Sequence, residues 1–214
     1  ITVGGWRKGD EPMRVVSGAM GKEKVHFEAP KSSELDKEMN HFIKWVNDKQ
    51  EIDDVIKAAI IHLWFVTLHP FDDGNGRITR ALTDMQLARS DKSNQRFYSM
   101  SAQILKERKQ YYAILEKTQK GDLDITNWIC WFLKTLKGAI LSSKILLNEV
   151  LQKAQFWQTH NNVALNERQI KMVNKLFDGF EGKLSTSKWA KICKCSTDSA
   201  LRDIQDLVKK GMLI

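Results

Sequence analysis

Ala58-Ala-Ile-Ile-His-Leu-Trp-Phe-Val-Thr-Leu68 is the longest apolar run in the chain, and His69-Pro-Phe-Asp-Asp-Gly-Asn-Gly-Arg-Ile-Thr-Arg80 follows it without a break. The run is apolar nearly all round a helical wheel, so a helix opened by Asp53 or Asp54 and ending at Leu68 must lie centrally in a core. It falls well short of the roughly 20 apolar residues that a bilayer span requires, and no membrane partner is expected. Gly74 and Gly76 break the helical pattern, which Ile78, Ala81, Leu82, Met85 and Ala88 resume as the apolar face of a third helix. Residues 69–80 therefore form a loop that runs into a helix N-terminus.

The neighbouring segments are also helical. Leu35, Met39, Phe42, Ile43 and Val46 follow Ser33 at helical spacing, and residues 101–119 and about 126–160 supply two more helices. Arg14-Val-Val-Ser-Gly-Ala-Met-Gly-Lys-Glu-Lys-Val-His-Phe27 dissents: its β-branched pairs flank a Gly-punctuated turn, which predicts a short hairpin. Beyond residue 165 the helices become short and separately capped. Asn166 with Gln169 forms a capping-box pattern, Ser187 to Cys193 makes a short helix, Lys194-Cys195 a tight turn, and Ser196 caps a last helix stopped by Gly211. The expected class is all-α, with a larger domain over 1–160 and a small helix-turn-helix over 161–214, where Met212-Leu-Ile214 could begin a wing strand.

Composition fits a soluble globular chain: 214 residues, 42% apolar, a formal charge of +8, 3 Pro and 12 Gly. Disorder and low-complexity scaffolds are thereby excluded. Three Cys, an odd number, argue for a reducing, cytoplasmic setting, and Cys193-Lys194-Cys195 lacks metal-ligand spacing. With Ile-Thr-Val at its start and no apolar leader, the chain is expected to lack a signal peptide and to be missing upstream residues.

Residues 69–80 carry the chemistry. Gly74 and Gly76 remove side chains where backbone N–H groups must approach a ligand, and the helix that follows adds unpaired donors and a positive dipole end. That combination makes an anion site. Arg77 and Arg80 share a helix face in a first turn, where each cation is disfavoured by roughly 0.3 to 1 kcal/mol. A polyphosphate resolves the conflict, because guanidinium forks bind phosphate oxygens bidentately. Asp73 suits an anion that carries Mg²⁺. His69, mostly neutral at cellular pH, can take a proton from an attacking hydroxyl. Together these groups specify phosphoryl or nucleotidyl transfer.

The same twelve residues resemble the signature of Fic-domain enzymes, H-x-F-x-[DE]-G-N-G-R-x-x-R, and every specified position is filled. The resemblance runs over roughly residues 3–140 and implies a Fic-type helical core with a small hairpin flap. It implies transfer of AMP from ATP to a Ser, Thr or Tyr hydroxyl of a target protein, with pyrophosphate leaving. By that carry-over His69 is the base, Phe71 anchors the loop, and Asp73 holds Mg²⁺. Gly74, Asn75 and Gly76 receive the α- and β-phosphates, while Arg77 and Arg80 balance charge on the β- and γ-phosphates. Val15, Val16, Ser17, Gly18 and Val25 belong to the flap that docks the target by main-chain pairing. Tyr111, Tyr112 and Gln119 fall where family members line the adenine pocket, although tyrosines at helical spacing serve equally as core. The family's inhibitory string [ST]-x-x-x-E-[GN] does not occur here: Glu181-Gly182 is preceded by Phe177 at the required distance. An inhibitory glutamate is expected either upstream of Ile1 or on another protein.

Two rivals stand beside AMP transfer. One is a phosphotransferase on the same scaffold, using the ATP γ-phosphate or another phosphate donor; Gly76 favours AMP, since the phosphorylating relatives resemble the motif with a bulkier cation there. The other is a DNA-binding regulator acting through the C-terminal module, where residues 165–214 hold 10 Lys and Arg against 6 Asp and Glu. The last helix mixes Asp198, Asp203 and Asp206 with Arg202, Lys209 and Lys210, which favours protein interaction or homodimer packing over DNA. His62 is expected to be a core histidine rather than a metal ligand, and Trp45, Trp64, Trp128, Trp131 and Trp157 are expected to pack the core.

Overall fold

A computed structural model describes residues 2–9, 12–18, 21–93 and 95–213, with the backbone alone at Ser17. Its contacts divide the chain into two units, Ile1–Ser143 and Lys144–Ile214. Among the described residues nine α-helices, a short 3-10 helix (Ser32–Glu34) and one two-stranded antiparallel sheet make up the regular structure.

The first unit opens with the hairpin, β1 (Arg14–Ser17) and β2 (Lys24–Glu28), paired Val15 to Phe27 and Val16 to Val25 with a bulge between Val15 and Val16. Gly18 turns the chain out of β1 at φ +111, where an added Cβ would lie 2.7 Å from the Lys22 carbonyl oxygen. Ala19 and Met20, at the tip of the expected hairpin, lie outside the described residues.

Helix α1 (Leu35–Asn47) buries Leu35, Met39, Phe42 and Val46, whereas Ile43 faces outward. Helix α2 (Asp54–Leu68) is capped by Asp53, whose carboxylate accepts from the amides of Val55 and Ile56 at 2.8 and 3.3 Å. Its all-round apolarity has a direct cause, because α2 lies between two clusters. Ile61, Phe65 and Leu68 meet Met39, Phe42 and Val46 of α1 on one side. Ala58, Ala59, Leu63 and Val66 meet Leu87, Tyr111, Trp128 and Phe132 on the other. At about 1.5 to 3 kcal/mol for each large side chain withdrawn from water, this double burial makes α2 the element on which the unit is built.

Helix α3 (Asn75–Asp91) corrects the expectation for its inner face. Ala81 and Met85 are exposed, while the buried residues are Asn75, Thr79, Thr83, Gln86 and Leu87. A face that polar can be buried because its side chains find partners, although the Gln86 side-chain oxygen is left without one. The Thr79 and Thr83 hydroxyls donate to the carbonyls of Asn75 and Thr79 at 2.7 Å, and Gln86 donates to Asp54 at 3.2 Å. Ile78 and Leu82 contribute only partly, at the edge of the α1 cluster.

The helix expected over 101–119 is two, α4 (Met100–Lys106) and α5 (Arg108–Gln119). The break falls at Glu107, whose carboxylate is held by Thr135 at 2.8 Å and Gln103 at 2.5 Å. Helix α6 (Thr126–Thr159) starts in the first unit and ends in the second. There Trp128 is fully buried and donates its indole N–H to the Ala59 carbonyl at 2.9 Å. Trp45, Trp64, Trp131 and Trp157 pack, partly buried, against the apolar clusters of their own units. No helix among the described residues is long and apolar enough to cross a membrane.

The second unit packs α7 (Glu167–Phe177), α8 (Thr186–Cys193) and α9 (Thr197–Lys209) around Met172, Val173, Trp189, Ala200 and Leu207. Asn166 and Gln169 form the capping box that the sequence predicts. Lys194, in the left-handed conformation, turns the chain from α8 into α9. Met212 corrects the expected wing: it is buried against this core, its amide bonds back to the Leu207 carbonyl, and no strand forms over the described end. Ile214 lies outside the described residues.

Candidate active site

Helix α2 ends on His69, whose amide closes the last turn on the Phe65 carbonyl at 3.1 Å and whose backbone is left-handed, φ 47 and ψ 54. Such a conformation is uncommon for a residue with a side chain and occurs where the surroundings impose it. His69 Nδ1 lies 3.2 Å from the Val66 carbonyl oxygen. A carbonyl only accepts, so Nδ1 carries the hydrogen and Nε2 keeps its lone pair. Burial pushes the imidazole below its ordinary value; the Val66 hydrogen bond opposes that, and the Arg7 charge adds to it. A neutral ring with Nε2 bare is the form a general base requires.

Pro70 to Gly74 fold back between the two helices under the control of Asn75. Its side chain accepts from the Phe71 amide at 2.9 Å and donates to the Phe71 carbonyl at 2.7 Å. Asn75 is buried, and with its side chain spent on the loop it offers an anion only its backbone N–H. Phe71 packs on Trp6 and Phe65, with ring centroids 5.2 and 6.3 Å away.

Gly74 precedes α3 at φ +86, and no side chain caps the helix. The amides of Asn75 and Gly76 have no carbonyl ahead of them in the helix ladder, since bonding begins with Arg77 and Ile78 donating to Gly74 at 2.9 and 3.0 Å. Arg77 and Asp73 are 73% and 76% exposed and pair with each other at 3.1 Å. Asp73 also accepts from the Gly74 amide at 2.6 Å. An exposed pair of this kind contributes about 0 to 1 kcal/mol and opens readily to a better partner. Arg80 is half-buried and makes no hydrogen bond or ion pair among the described residues, and its charge reaches His62 and Tyr111.

The three residues considered for an adenine pocket are not alike. Tyr111 is buried, and its hydroxyl meets His62 Nε2 at 3.0 Å, while His62 Nδ1 meets the Thr83 hydroxyl at 2.9 Å. His62 is thus a core residue linking α2, α3 and α5, and burial pushes its imidazole down to about 3. Tyr112 is half exposed, under Arg108, and Gln119 donates to the Thr67 hydroxyl at 3.1 Å. The hairpin is fastened to α5, where Glu116 takes a hydrogen bond from His26 at 2.6 Å. Val16 and Val25 are exposed, Val15 is half-buried, and Gly18 begins the turn. Among the described residues no group of three or more His, Cys, Asp or Glu could hold a metal.

Sequence reasoning missed Arg7. It is 4% exposed and donates from Nε to the His69 carbonyl at 2.9 Å and from a terminal nitrogen to the Pro30 carbonyl. Its amide donates to the Pro70 carbonyl at 2.8 Å. A lone Arg between Gly5 and Gly9 carries no periodic signal that would have exposed it.

The fold and site define a helical protein with a bare imidazole at one helix end and an uncapped, cation-flanked N-terminus at the next. Residues 2–87 match the model of the Fic/DOC family. It is 37% identical over 87 residues to a protein adenylyltransferase Fic of Aedes aegypti, covering 40% of this chain and 16% of that one. A protein adenylyltransferase of Caenorhabditis elegans is 34% identical over 88 residues, with the same coverage of both chains. A probable protein adenylyltransferase of Aquifex aeolicus is 29% identical over 117 residues, 55% of this chain and 31% of that one. The chain thus matches less than a third of the length of these relatives. The crystal structure of a Fic family protein from Desulfovibrio desulfuricans shares the fold with a TM-score of 0.54 at 18% identity, over 98% of this chain and 57% of that one.

Proposed function

We propose that the first unit transfers AMP from ATP to a Ser, Thr or Tyr hydroxyl of a target protein. The observation that carries this reading is the contact of His69 Nδ1 with the Val66 carbonyl oxygen, which assigns the hydrogen to Nδ1 and leaves Nε2 free to act as the base next to a helix start suited to an anion. His69 Nε2 takes the hydroxyl proton as the oxygen bonds to the α-phosphorus, and the bond from that phosphorus to the bridging oxygen breaks, releasing pyrophosphate. The amides at Asn75 and Gly76 and the Arg80 guanidinium hold the phosphates, joined by the Gly74 amide and Arg77 once these exchange Asp73 for the nucleotide, stabilising charge as it moves to the leaving group. The Asp73 carboxylate is exposed and held only by an exposed arginine and one amide, which suits a Mg²⁺ site that takes a single carboxylate and completes its shell with phosphate oxygens and water. Mg²⁺ supplies neutralisation of the developing phosphate charge when bound. The hairpin pairs with an extended target segment by main-chain bonds, since a two-stranded sheet leaves edges open.

ATP labelled at the α-phosphate, incubated with the protein and a lysate, tests the reading. Label should appear on protein and be lost in His69→Ala. Transfer confined to γ-label would make the protein a kinase and overturn it.

For the second unit we infer a helix-turn-helix formed by α8 and α9 that binds protein. Asp203, one of the acids on α9, is turned inward to Arg168 and Asn166, while Leu201 and Val208, seven residues apart on one helix face, are 44% and 47% exposed. An apolar outer stripe fits a protein partner better than a phosphate backbone. Salt-sensitive binding of the protein to duplex DNA at near-physiological ionic strength would reverse that preference.

A further inference from the structure

Arg7 is withdrawn from water, yet it makes no ion pair among the described residues; its guanidinium serves two carbonyls, those of His69 and Pro30. Taking a cation out of water costs several kcal/mol. The Asp72 charge offsets that cost only in part, since burial still holds the guanidinium below its ordinary value, and a cost not fully offset marks a position kept for another reason. The return lies at His69. In the left-handed conformation its carbonyl leaves the α2 ladder and needs a donor, which Arg7 Nε supplies at 2.9 Å. Other contacts from the same segment close on the loop: the Thr2 amide donates to Asp72 at 2.6 Å, Trp6 packs on Phe71, and the Arg7 amide donates to Pro70 at 2.8 Å.

We propose that Arg7 is a positioning residue for the transfer step, clamping the His69 carbonyl so that the left-handed backbone, and with it the direction of Nε2, is fixed before the substrates arrive. The clamp rests on the transfer reading for its purpose, but it can be measured without turnover. The Arg7 charge disfavours the imidazolium, so removing it should be visible in the His69 ring itself.

Arg7→Gln and Arg7→Lys in the full chain test the clamp, with the His69 ring titrated by NMR and AMP transfer measured against ATP concentration and pH. In Arg7→Gln, kcat should fall at least about 10-fold, as expected for a displaced reacting group, with KM for ATP within about 2-fold. The ring titration and the acid limb of kcat should both move to higher pH. Arg7→Lys, which keeps the charge and one donor, should hold the ring titration near that of the parent and recover part of kcat. A ring titration unmoved in Arg7→Gln, or a loss shared equally between kcat and KM, would overturn the proposal and leave Arg7 a structural residue. Should Arg7→Gln not fold, Arg7→Lys decides: a lowered kcat at constant KM supports the clamp, and a parental kcat overturns it. A shifted ring in a protein that transfers no AMP would instead refute the transfer reading and leave the clamp standing.

Discussion

Helices α3 and α9 begin in opposite ways. Ser196 caps α9 by accepting from the Ser199 amide at 3.2 Å, Asp198 sits in the first turn and Lys209 in the last, each in accord with the helix dipole. Helix α3 has no side-chain cap, no acid in its first turn, and Arg77 and Arg80 within its first six residues. Only one of these helix starts is optimised for its own stability. The other leaves the Asn75 and Gly76 amides and the Arg80 guanidinium without partners among the described residues and holds Arg77 only in an exposed pair with Asp73, an arrangement that suits a bound anion. Departures from local preference thus separate a working helix end from a structural one inside a single chain.

His69→Ala should show the largest effect: transfer down by about 10² to 10⁴ with ATP affinity within about 2-fold, read from labelled AMP incorporation and calorimetry. Equal losses in binding and transfer would mean that the ring holds the nucleotide rather than the proton.

Acid should sharpen the contrast between the networks behind the two helices. His62, neutral and buried beneath α3, has a folded value near 3 against an ordinary 6.5. The unfolded chain therefore binds a proton that the folded one refuses, and stability falls as pH drops below about 6.5, by up to about 1.4 kcal/mol per pH unit. Asp203 in the second unit behaves differently. Burial would raise its carboxyl, but hydrogen bonds from Arg168 and Asn166 outweigh that and hold it below its ordinary 3.8, so its contribution persists above that pH and is lost only as pH falls further. Between pH 6.5 and 4.5 hydrogen exchange should accelerate in α2 and α3 before α9; the reverse order would contradict this account.

Arg77→Gln should weaken ATP binding by about 10-fold, roughly the loss of one charge-assisted hydrogen bond pair, while leaving stability unchanged or raising it by about 0.3 to 1 kcal/mol. Ser196→Ala makes the opposite trade, costing about 1 kcal/mol of stability in the second unit with no change in transfer. Urea unfolding alongside transfer assays reads both. A stabilised Ser196→Ala or a destabilised Arg77→Gln would erase the distinction between the two helix ends.

Apolar periodicity revealed α1, α2 and α6 because their faces were written in large residues, and the motif at 69–80 was legible because twelve consecutive residues carried it. The inner face of α3 was not, since Asn75, Thr79, Thr83 and Gln86 are buried by virtue of hydrogen bonds that no pattern of hydrophobicity displays. At the break, Glu107 is bound by Thr135, far along the chain. Tyr111 could be core or pocket from spacing alone, and its hydroxyl is buried against His62. Arg7 lies 62 residues from the carbonyl it serves, a separation across which local sequence carries no information.

Because α2 terminates on His69, the imidazole is mounted at the tip of the most deeply set rod in the first unit. Its amide, bonded to the Phe65 carbonyl, exchanges with solvent when the last turn of that rod opens, so the ring's placement is tied to how firmly α2 holds its own end.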